Sequence, residues 1–434
     1  MSAFFGMRGS GDWATNEEKP NYRQGILRLY PNGRLPITAI TSMMPSAHIP
    51  ARSFSWWTQT IPAMGGAVTK IYTDAAMSSG SEYTSGGVIG TVLYVKTAEA
   101  TADEFRSGYE ALLRCSTDVY LDCVAKVIDV LKNGSSSRIT VKLLEADDNS
   151  TTHYLASCDV ILAVGSMQPE GSPIPDSVAY NPTEINNKMQ IFETSLDLTR
   201  TAMQIELRSE DAYTKTKRDA LELHGFLMEK AWIYGIPTSG IGANGKPEQT
   251  AGGIKWFIKT YAPSNVLDYT LDSGDYAGKT WLEGGEDWID EKLELAFRYG
   301  TDDKLAVCGS GALLGMQKLA KQNGNMTFSP GADIGYGVKL TEWKTSFGSI
   351  LLKTHPLLSS QTVDRNSIII IEPKNMLEYV YIQDTVFKPD TSYMKGGSSI
   401  DGKKESWLSE ASMRLYHPEK GMVLYGVGND NTVS

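Results

Sequence analysis

The stretch Arg208 to Tyr234, RSEDAYTKTKRDALELHGFLMEKAWIY, constrains the fold more than any other part of the chain. It holds no proline and a single glycine, Gly225. Its larger apolar positions, Tyr213, Ala220, Leu221, His224, Leu227, Met228, Ala231 and Trp232, recur at three- and four-residue steps, which marks one face of a helix. Ser209 is placed to act as N-cap, and Glu210 and Asp211 sit where the helix dipole favours negative charge. Gly235 and Pro237 stop the helix. At 1.5 Å per residue it spans roughly 35–40 Å. The chain before it, and most of the chain after it, reads as strand and loop. A helix of this length in such surroundings is a spine for the fold rather than support for a small pocket.

The 434 residues suffice for two or three domains with substantial cores. With 41% hydrophobic and 21% charged residues the chain is globular. A net charge of −10 argues against a nucleic-acid-binding surface over the whole protein, though not against a local basic patch. No apolar run approaches the roughly 18–20 residues that span a bilayer, and the N-terminus lacks a signal-peptide core. Cys115, Cys123, Cys158 and Cys308 form no C-x-x-C, and the five histidines, His48, His153, His224, His355 and His417, show no metal-ligand spacing. Neither a zinc site nor a disulfide framework is indicated, in keeping with synthesis in a reducing cytoplasm.

Residues 1 to about 20 are polar and Gly-rich. The following NYRQGILRLYPNGRLPITAITSMMPSAHIPARSFSWWTQTIPA is broken by Pro31, Pro36, Pro45 and Pro50, yet carries Ile26, Leu27, Leu29, Tyr30, Leu35, Ile37, Ile40, Met43 and Met44. Extended and apolar at once, it must lie on a surface of this chain or of a neighbour. SFSWWTQTI is strand-like, with Trp56 and Trp57 on opposite faces. From Gly86 to about Gly171, VIGTVLYVKT, DVYLDCVAKVIDVL, SRITVKLLEA and CDVILAVG read as short strands of a small barrel or sandwich, with a hairpin signal at Asn133-Gly134. TEINNKMQIFETSLDLTRTAMQIEL then leads, extended, into the spine. Beyond it, KWFIKTYA reads as a short strand or turn, GGEDWIDEKLELAFRYG as an amphipathic helix, and DDKLAVCGSGALLGMQKLAKQ as strand then helix. Ile368 to Ile371 lacks alternation and reads as a strand covered on both faces. SWLSEASMRLYHPEKGMVLYGV gives two last strands around His417-Pro418, against which the spine's apolar face is expected to pack.

No motif assembles an active site. Gly240-Ile-Gly-Ala-Asn-Gly245-Lys246 matches the opening of a phosphate-binding loop, but Pro247 stands where Ser or Thr would bind Mg²⁺, and the loop follows a helix rather than a strand. A surface turn is expected there. Around Ser310, Cys308 and Ala312 stand where a nucleophile elbow needs glycine, so Ser310 reads as a helix N-cap. Asp147-Asp148, Asp302-Asp303 and Glu283/Glu286/Asp287 sit in turns or a helix first turn, where acids are ordinary. His355 and His417 read as strand-end turn residues, and Trp56-Trp57 as a buried or interface strand rather than a stacking platform. No catalytic, cofactor-binding or metal-binding residue is assigned.

Taken in order, these segments resemble the tailed-bacteriophage major capsid proteins of the Hong-Kong-97-type fold. NYRQGILRLYPNGRLPITAITSMMPSAHIPARSFSWW resembles the opening of one branch of those head proteins, and NKMQIFETSLDLTRTAMQ the returning strand of their extended loop. DALELHGFLMEKAWIYG with QTAGGIKWFIKT resembles the end of the spine helix and the strand after it. DDKLAVCGSGALLGMQKLA, FGSILLKTHPLL and IIIIEPKNMLEYVYIQD resemble the axial domain, and KKESWLSEASMRLYHPEKGMVLYGV the last peripheral strand. The resemblance covers most of the chain except residues 1–20 and roughly 86–176. It rests on order and texture.

The resemblance implies an α+β protein of the Hong-Kong-97-type capsid fold. It divides the chain into an N-terminal arm, 1–50; an extended loop, 51–87 and 177–207; an inserted barrel-like β domain, 88–176; a peripheral domain with the spine helix, 208–256 and 383–434; and an axial domain, 257–382. It implies a structural protein and no enzyme, a major capsid subunit without cofactors that self-assembles as hexamers and pentamers into an icosahedral shell. Partners would be scaffolding, portal and decoration proteins and loosely held double-stranded DNA, with no membrane. The protein would assemble in the host cytoplasm and end in the virion. Some relatives join a Lys to an Asn between subunits; Lys70, Lys96 and Lys188 are all candidates and none is assigned. Some relatives lose a long N-terminal scaffolding segment, so this chain is expected to be already processed or to use a separate scaffold. The readings that compete from the residues alone are a hydrolase or carbohydrate-binding protein using the β insert, and another virion part such as a decoration or tail protein.

Overall fold

A computed structural model of the chain describes residues 44–59, 63–147, 154–172, 177–205, 211–323, 328–330, 341–389 and 401–433. The expectations for the arm before Met44 and for Ser209 and Glu210 as helix start fall outside these. Two compact units emerge, one from residues 59–183 and the other from the chain on either side of them.

The flanking chain begins with β1 (Ser46–His48) and β2 (Ser53–Thr58). The 59–183 unit is a closed six-stranded barrel built from β3 (Gly65–Tyr72), β4 (Val92–Thr97), β5 (Tyr109–Arg114), β6 (Asp122–Leu131), β7 (Arg138–Leu143) and β8 (Val160–Ser166), in the order β3-β4-β7-β6-β5-β8. Strict alternation sends Leu93, Val95, Leu113, Ile139, Val141 and Ile161 inward with no measurable exposure. Closure leaves no free strand edge, which lets so short a module hold a single register. Asn133-Gly134 turns β6 into β7 as its pattern implies, with Leu131 paired to Arg138. The short helix α1 (Glu99–Glu104) has too few residues to show a helical period; Ala102 and the following Phe105 enter the barrel core. The barrel also starts earlier than expected. β3 lies within the 51–87 span assigned to an extended loop, because GGAVTKIY opens on two glycines and then breaks alternation, with a register shift between Val68 and Lys70.

In the larger unit, β9 (Thr183–Lys188) pairs with β2 as a two-stranded ribbon, and β10 (Gln190–Thr199) runs on into the short helix α2 (Arg200–Gln204). The long helix α3 spans Ala212–Tyr234. Its N-cap is Asp211, whose carboxylate accepts the Thr214 amide at 2.8 Å and is thereby held below the usual carboxylate range. A hairpin follows, β11 (Thr238–Ile241) and β12 (Pro247–Thr250). KWFIKTYA is not a strand but helix α4 (Ile254–Tyr261): Ile254, Phe257, Ile258 and Tyr261 keep the helical period, and Gly253 is its N-cap. Then come β13 (Val266–Asp268), α5 (Trp281–Phe297), β14 (Asp303–Cys308), α6 (Ser310–Asn323), β15 (Phe328–Pro330), β16 (Thr341–Lys344), β17 (Ser349–Thr354), α7 (Pro356–Ser360), β18 (Ile368–Ile371), β19 (Leu377–Lys388), β20 (Gly402–Leu415) and β21 (Met422–Tyr425).

Two sheets organise this unit, a four-stranded one, β1-β19-β20-β10, and a seven-stranded one, β13-β21-β18-β14-β17-β16-β15. β18 is covered on both faces as its pattern implies. Ile369 and Ile371 join the core containing α3 and α4, while Ile368 and Ile370 join the core under α5 and α6. One four-residue strand therefore serves two cores. Strand β19 continues across the expected boundary between residues 382 and 383, where its pairing with β20 shifts register.

α3 packs on β10 and β20 rather than on the whole terminal segment; β21 belongs to the other sheet. Met228 and Trp232 are buried, but Leu221 and Leu227, expected on the same face, are 40% and 43% exposed. The seam is narrower than the sequence period suggests because polar groups hold part of it. His224 bridges Thr194 Oγ1 at 3.1 Å and Ser409 Oγ at 2.8 Å, and Trp407 Nε1 donates to the Lys217 carbonyl at 3.2 Å.

Candidate functional site

The structure places each catalytic-looking residue in a structural role. In the turn of the β11–β12 hairpin, the Gly242 amide donates to the Lys246 carbonyl at 2.8 Å and the Gly245 amide to the Gly242 carbonyl at 2.9 Å. Amides committed to their own hairpin do not cradle a phosphate. Ser310 is the first residue of α6, and its amide donates to Ser359 Oγ at 3.1 Å. The neighbouring Gly309 is required by close approach: a Cβ there would meet the Arg365 carbonyl oxygen at 2.2 Å.

His355 is fully buried. The Leu357 amide donates to its Nδ1 at 3.1 Å, so Nε2 carries the proton and donates to Glu229 Oε1 at 2.7 Å. This pair ties the last turns of α3 to α7 and is closed to substrate. Nearby, Asp364 accepts from Lys255 Nζ and from the Tyr234 hydroxyl, both at 2.6 Å. Burial outweighs that carboxylate and lowers the Lys255 pKa, whereas burial and Asp364 together raise that of Tyr234. His417 sits in the left-handed region at φ 50°, a turn residue between β20 and β21.

Asp148 lies outside the described residues; the other acidic candidates include members held in local structure. Asp147 is buried and accepts from the Tyr83 hydroxyl at 2.6 Å and the Leu155 amide at 3.3 Å. Asp303 accepts from the Ser349 hydroxyl. Glu283 forms a capping box with Thr280 at the start of α5. Burial raises the Asp290 pKa, and the charges of Glu286 and Asp287 add to the rise. Burial pushes the thiols of Cys123, Cys158 and Cys308 up to about 12, which makes them poor nucleophiles. Among the described residues no cluster of His, Cys, Asp or Glu has the makings of a metal site. No described helix is long and apolar enough to cross a membrane.

What the surface does carry is apolar area. Trp56 is buried and stacked on Phe54 at 6.0 Å, with the Arg414 guanidinium 5.8 Å from its ring, while its neighbour Trp57 is 63% exposed. Ile191 and Ile241 are exposed in the same unit. Near them lies an open groove of about 830 Å³ whose lining includes Arg52, Ile191, Glu248, Ile382 and Glu410. Leu223 and Leu227 stand exposed on α3. Of the candidate cross-linking lysines, Lys70 is paired with Glu82 at 2.6 Å. Sequence patterning gives no sign of the groove, because its lining comes from separate chain segments far apart in number.

Comparison with known proteins agrees with a surface built for contact rather than catalysis. Residues 9–428 match the model of the SU10 major capsid protein family. The major capsid protein of Pseudomonas phage PaMx41 is 24% identical over 424 residues, covering 93% of this chain and 91% of that protein. Among solved structures, Microbacterium phage Oxtober96 is similar at TM-score 0.42 and 9% identity, over 94% of this chain and 95% of that one. The capsid of cyanophage P-SCSP1u is similar at TM-score 0.38 and 11% identity, over 61% and 80%. On the near-complete family match, the chain belongs to the SU10 major capsid protein family: it is a structural subunit of a phage capsid shell, not an enzyme.

Proposed function

We propose that this subunit adopts a Hong-Kong-97-type fold and closes into an icosahedral head as hexamers and pentamers around double-stranded DNA. The observation that carries this reading is the family match over residues 9–428. In that arrangement α3 is the spine, and with the four-stranded sheet it forms the peripheral domain. The seven-stranded sheet with α5 and α6 forms the axial domain near the capsomer axis. The β2–β9 ribbon is the root of the extended loop, and the barrel is inserted at its end. Residues 1–50 form the arm; its end docks on its own chain, with Met44 buried and β1 paired to β19, and the Leu, Ile and Met side chains before Met44 find their apolar cover on a neighbouring subunit. The net charge of −10 suits loose containment of DNA through a few basic contacts. Scaffolding, portal and decoration proteins complete the partner set, and assembly takes place in the host cytoplasm.

The experiment is negative-stain microscopy and sizing of the purified protein, with and without residues 1–43, a cut that leaves Met44 and β1 in place. Full-length protein is expected as capsomers or shells. The truncated protein is expected to keep its fold by circular dichroism but to stop assembling. A full-length chain that stays a monodisperse monomer at high concentration, across several buffers, would sink the reading.

A further inference from the structure

Helices α5 and α6 lie over one core, with Trp288, Ile289 and Leu293 of the first and Ala312, Met316 and Leu319 of the second buried in it. Their outward faces carry opposite charge. α5 holds Glu283, Glu286, Asp287, Asp290, Glu291 and Glu294 against Lys292 alone, whereas α6 holds Lys318 and Lys321 and no acid. Part of the acidic set is engaged locally: Glu283 caps its own helix, Glu291 pairs with Lys292 and Glu294 with Arg298. Asp287 and Asp290 are left without a cation among the described residues. Desolvation raises the Asp290 pKa and the charges of Glu286 and Asp287 add to the rise, as on a face that lacks its counter-charge. α6 is the reverse. Lys318 and Lys321 are exposed with no ion partner among the described residues. Arg365, exposed in the turn before β18, stands against the first turn of α6, where a Cβ on Gly311 would meet the Arg365 Cγ at 3.0 Å.

Each face is headed by an exposed leucine, Leu282 at 44% and Leu314 at 48%. From Leu282 the helix rises about 7.5 Å to Asp287 and about 12 Å to Asp290; from Leu314 it rises about 6 Å to Lys318 and about 10.5 Å to Lys321. Laid side by side in the same direction, the two faces set leucine level with leucine and each carboxylate within about 1.5 Å of the level of a lysine. The matching halves sit on different helices of one chain, so a second copy supplies what each face lacks. An unrelated acidic or basic protein would match only one of them. Like charge disfavours the self-paired arrangements, α5 on α5 or α6 on α6. A contact between unlike faces repeats head to tail until a ring closes. Each contact is small, but in a ring every subunit is held on both sides at high effective concentration.

We propose that the α5 face of one copy docks on the α6 face of the next around a capsomer, with Leu282 on Leu314 and with Asp287 and Asp290 on Lys318 and Lys321. This rests on the capsid reading above. The test is a charge swap, read by sizing and negative-stain microscopy. Asp287→Lys with Asp290→Lys, and separately Lys318→Glu with Lys321→Glu, are each expected to lower the yield of capsomers and shells about tenfold or more. All four changes together restore the complement and should bring the yield back to within about twofold of wild type. Tryptophan-monitored unfolding of the dissociated subunit should stay close to wild type in every variant, since surface changes of this kind cost little. As a second measurement, in a Cys115→Ser background, Leu282→Cys subunits co-assembled with Leu314→Cys subunits and oxidised with copper phenanthroline should give disulfide-linked dimers, and neither variant alone should. Double reversals that assemble as wild type does, or a fourfold variant no better than either, overturn the contact and leave the capsid reading standing. Dimers from one cysteine variant alone also overturn it, because they report like faces meeting. Wild-type protein that forms neither capsomers nor shells takes down the capsid reading and the contact with it.

Discussion

The barrel and the seam between α3 and its sheets are held together by different means. The barrel interior is almost purely apolar, with its buried carboxylate, Asp147, out at the rim. The seam buries His224 and Glu229 on α3, ties His355 and Asp364 to that helix, and leaves Trp232 and Met228 to fill the space between. Apolar packing is tolerant: any filling of the right volume folds, and closure of the barrel fixes register. Polar pairs are intolerant, since each has one geometry that satisfies it and a buried group left alone is costly. The barrel thus keeps a shape, and the seam keeps an angle. For a subunit whose helix must hold a fixed direction in a shell, intolerance is useful.

This contrast is open to direct attack, because all nine tryptophans lie outside residues 59–183 and so report only on the larger unit. Glu229→Ala leaves the His355 imidazole buried without an acceptor and is expected to destabilise the larger unit by about 3–5 kcal/mol, read as a lower denaturant midpoint by tryptophan fluorescence. Glu229→Leu combined with His355→Leu should recover much of that loss while reducing the fraction of subunits that close into regular shells. A single Glu229→Ala variant within about 0.5 kcal/mol of wild type, the range of an ordinary surface change, would remove the seam's polar pairs from the account.

Ile139→Ala probes the other side of the comparison. Ile139 is fully buried between β4 and β6 neighbours, and its truncation should cost about 2–4 kcal/mol. The loss should appear in the far-ultraviolet circular dichroism transition of the barrel and leave the tryptophan transition where it was. A matching fall in the tryptophan signal would mean that the two units unfold as one, and the difference between them would lose its energetic content.

The same contrast explains how much of the molecule is legible in the chain. Alternation in VLYVKT, DCVAKVI and RITVKLL announces the barrel strands, because an apolar interior writes itself into local period. The long helix and the twice-covered Ile368–Ile371 strand are legible for the same reason. The polar seam is not: Glu229 and His355 are 126 positions apart, and nothing local marks either as the other's partner. Helix α4 reads as a strand in isolation because Trp256, Phe257, Ile258 and Tyr261 favour strand by residue type, and tertiary packing on α3 decides for the helix. Leu221 and Leu227 stand exposed beside the face they were expected to join, because period gives a face but not its width.

The smallest effect is the most discriminating. His224 lies between Thr194 and Ser409 in the seam, and burial lowers its pKa below the ordinary histidine value. The native state therefore favours neutral imidazole, and the unfolded chain binds the proton more readily. Where the unfolded state binds more protons, stability rises with pH, so His224 contributes fully above the unfolded histidine pKa. That contribution declines as pH falls through the unfolded value, and the decline ends only below the lowered native one. His224→Gln keeps a hydrogen-bonding amide near the same hydroxyls and removes the titration. At a pH about one unit above the ordinary histidine pKa it should cost about 1 kcal/mol by tryptophan-monitored denaturation. Below that ordinary pKa of roughly 6.5 the two proteins should converge, because only the wild type keeps losing stability through this group. A gap that stays constant across the whole range would mean that the proton binds the native seam as readily as the unfolded chain. The seam would then be loose enough to admit a charge, and the barrel, not the seam, would be the rigid part of the subunit.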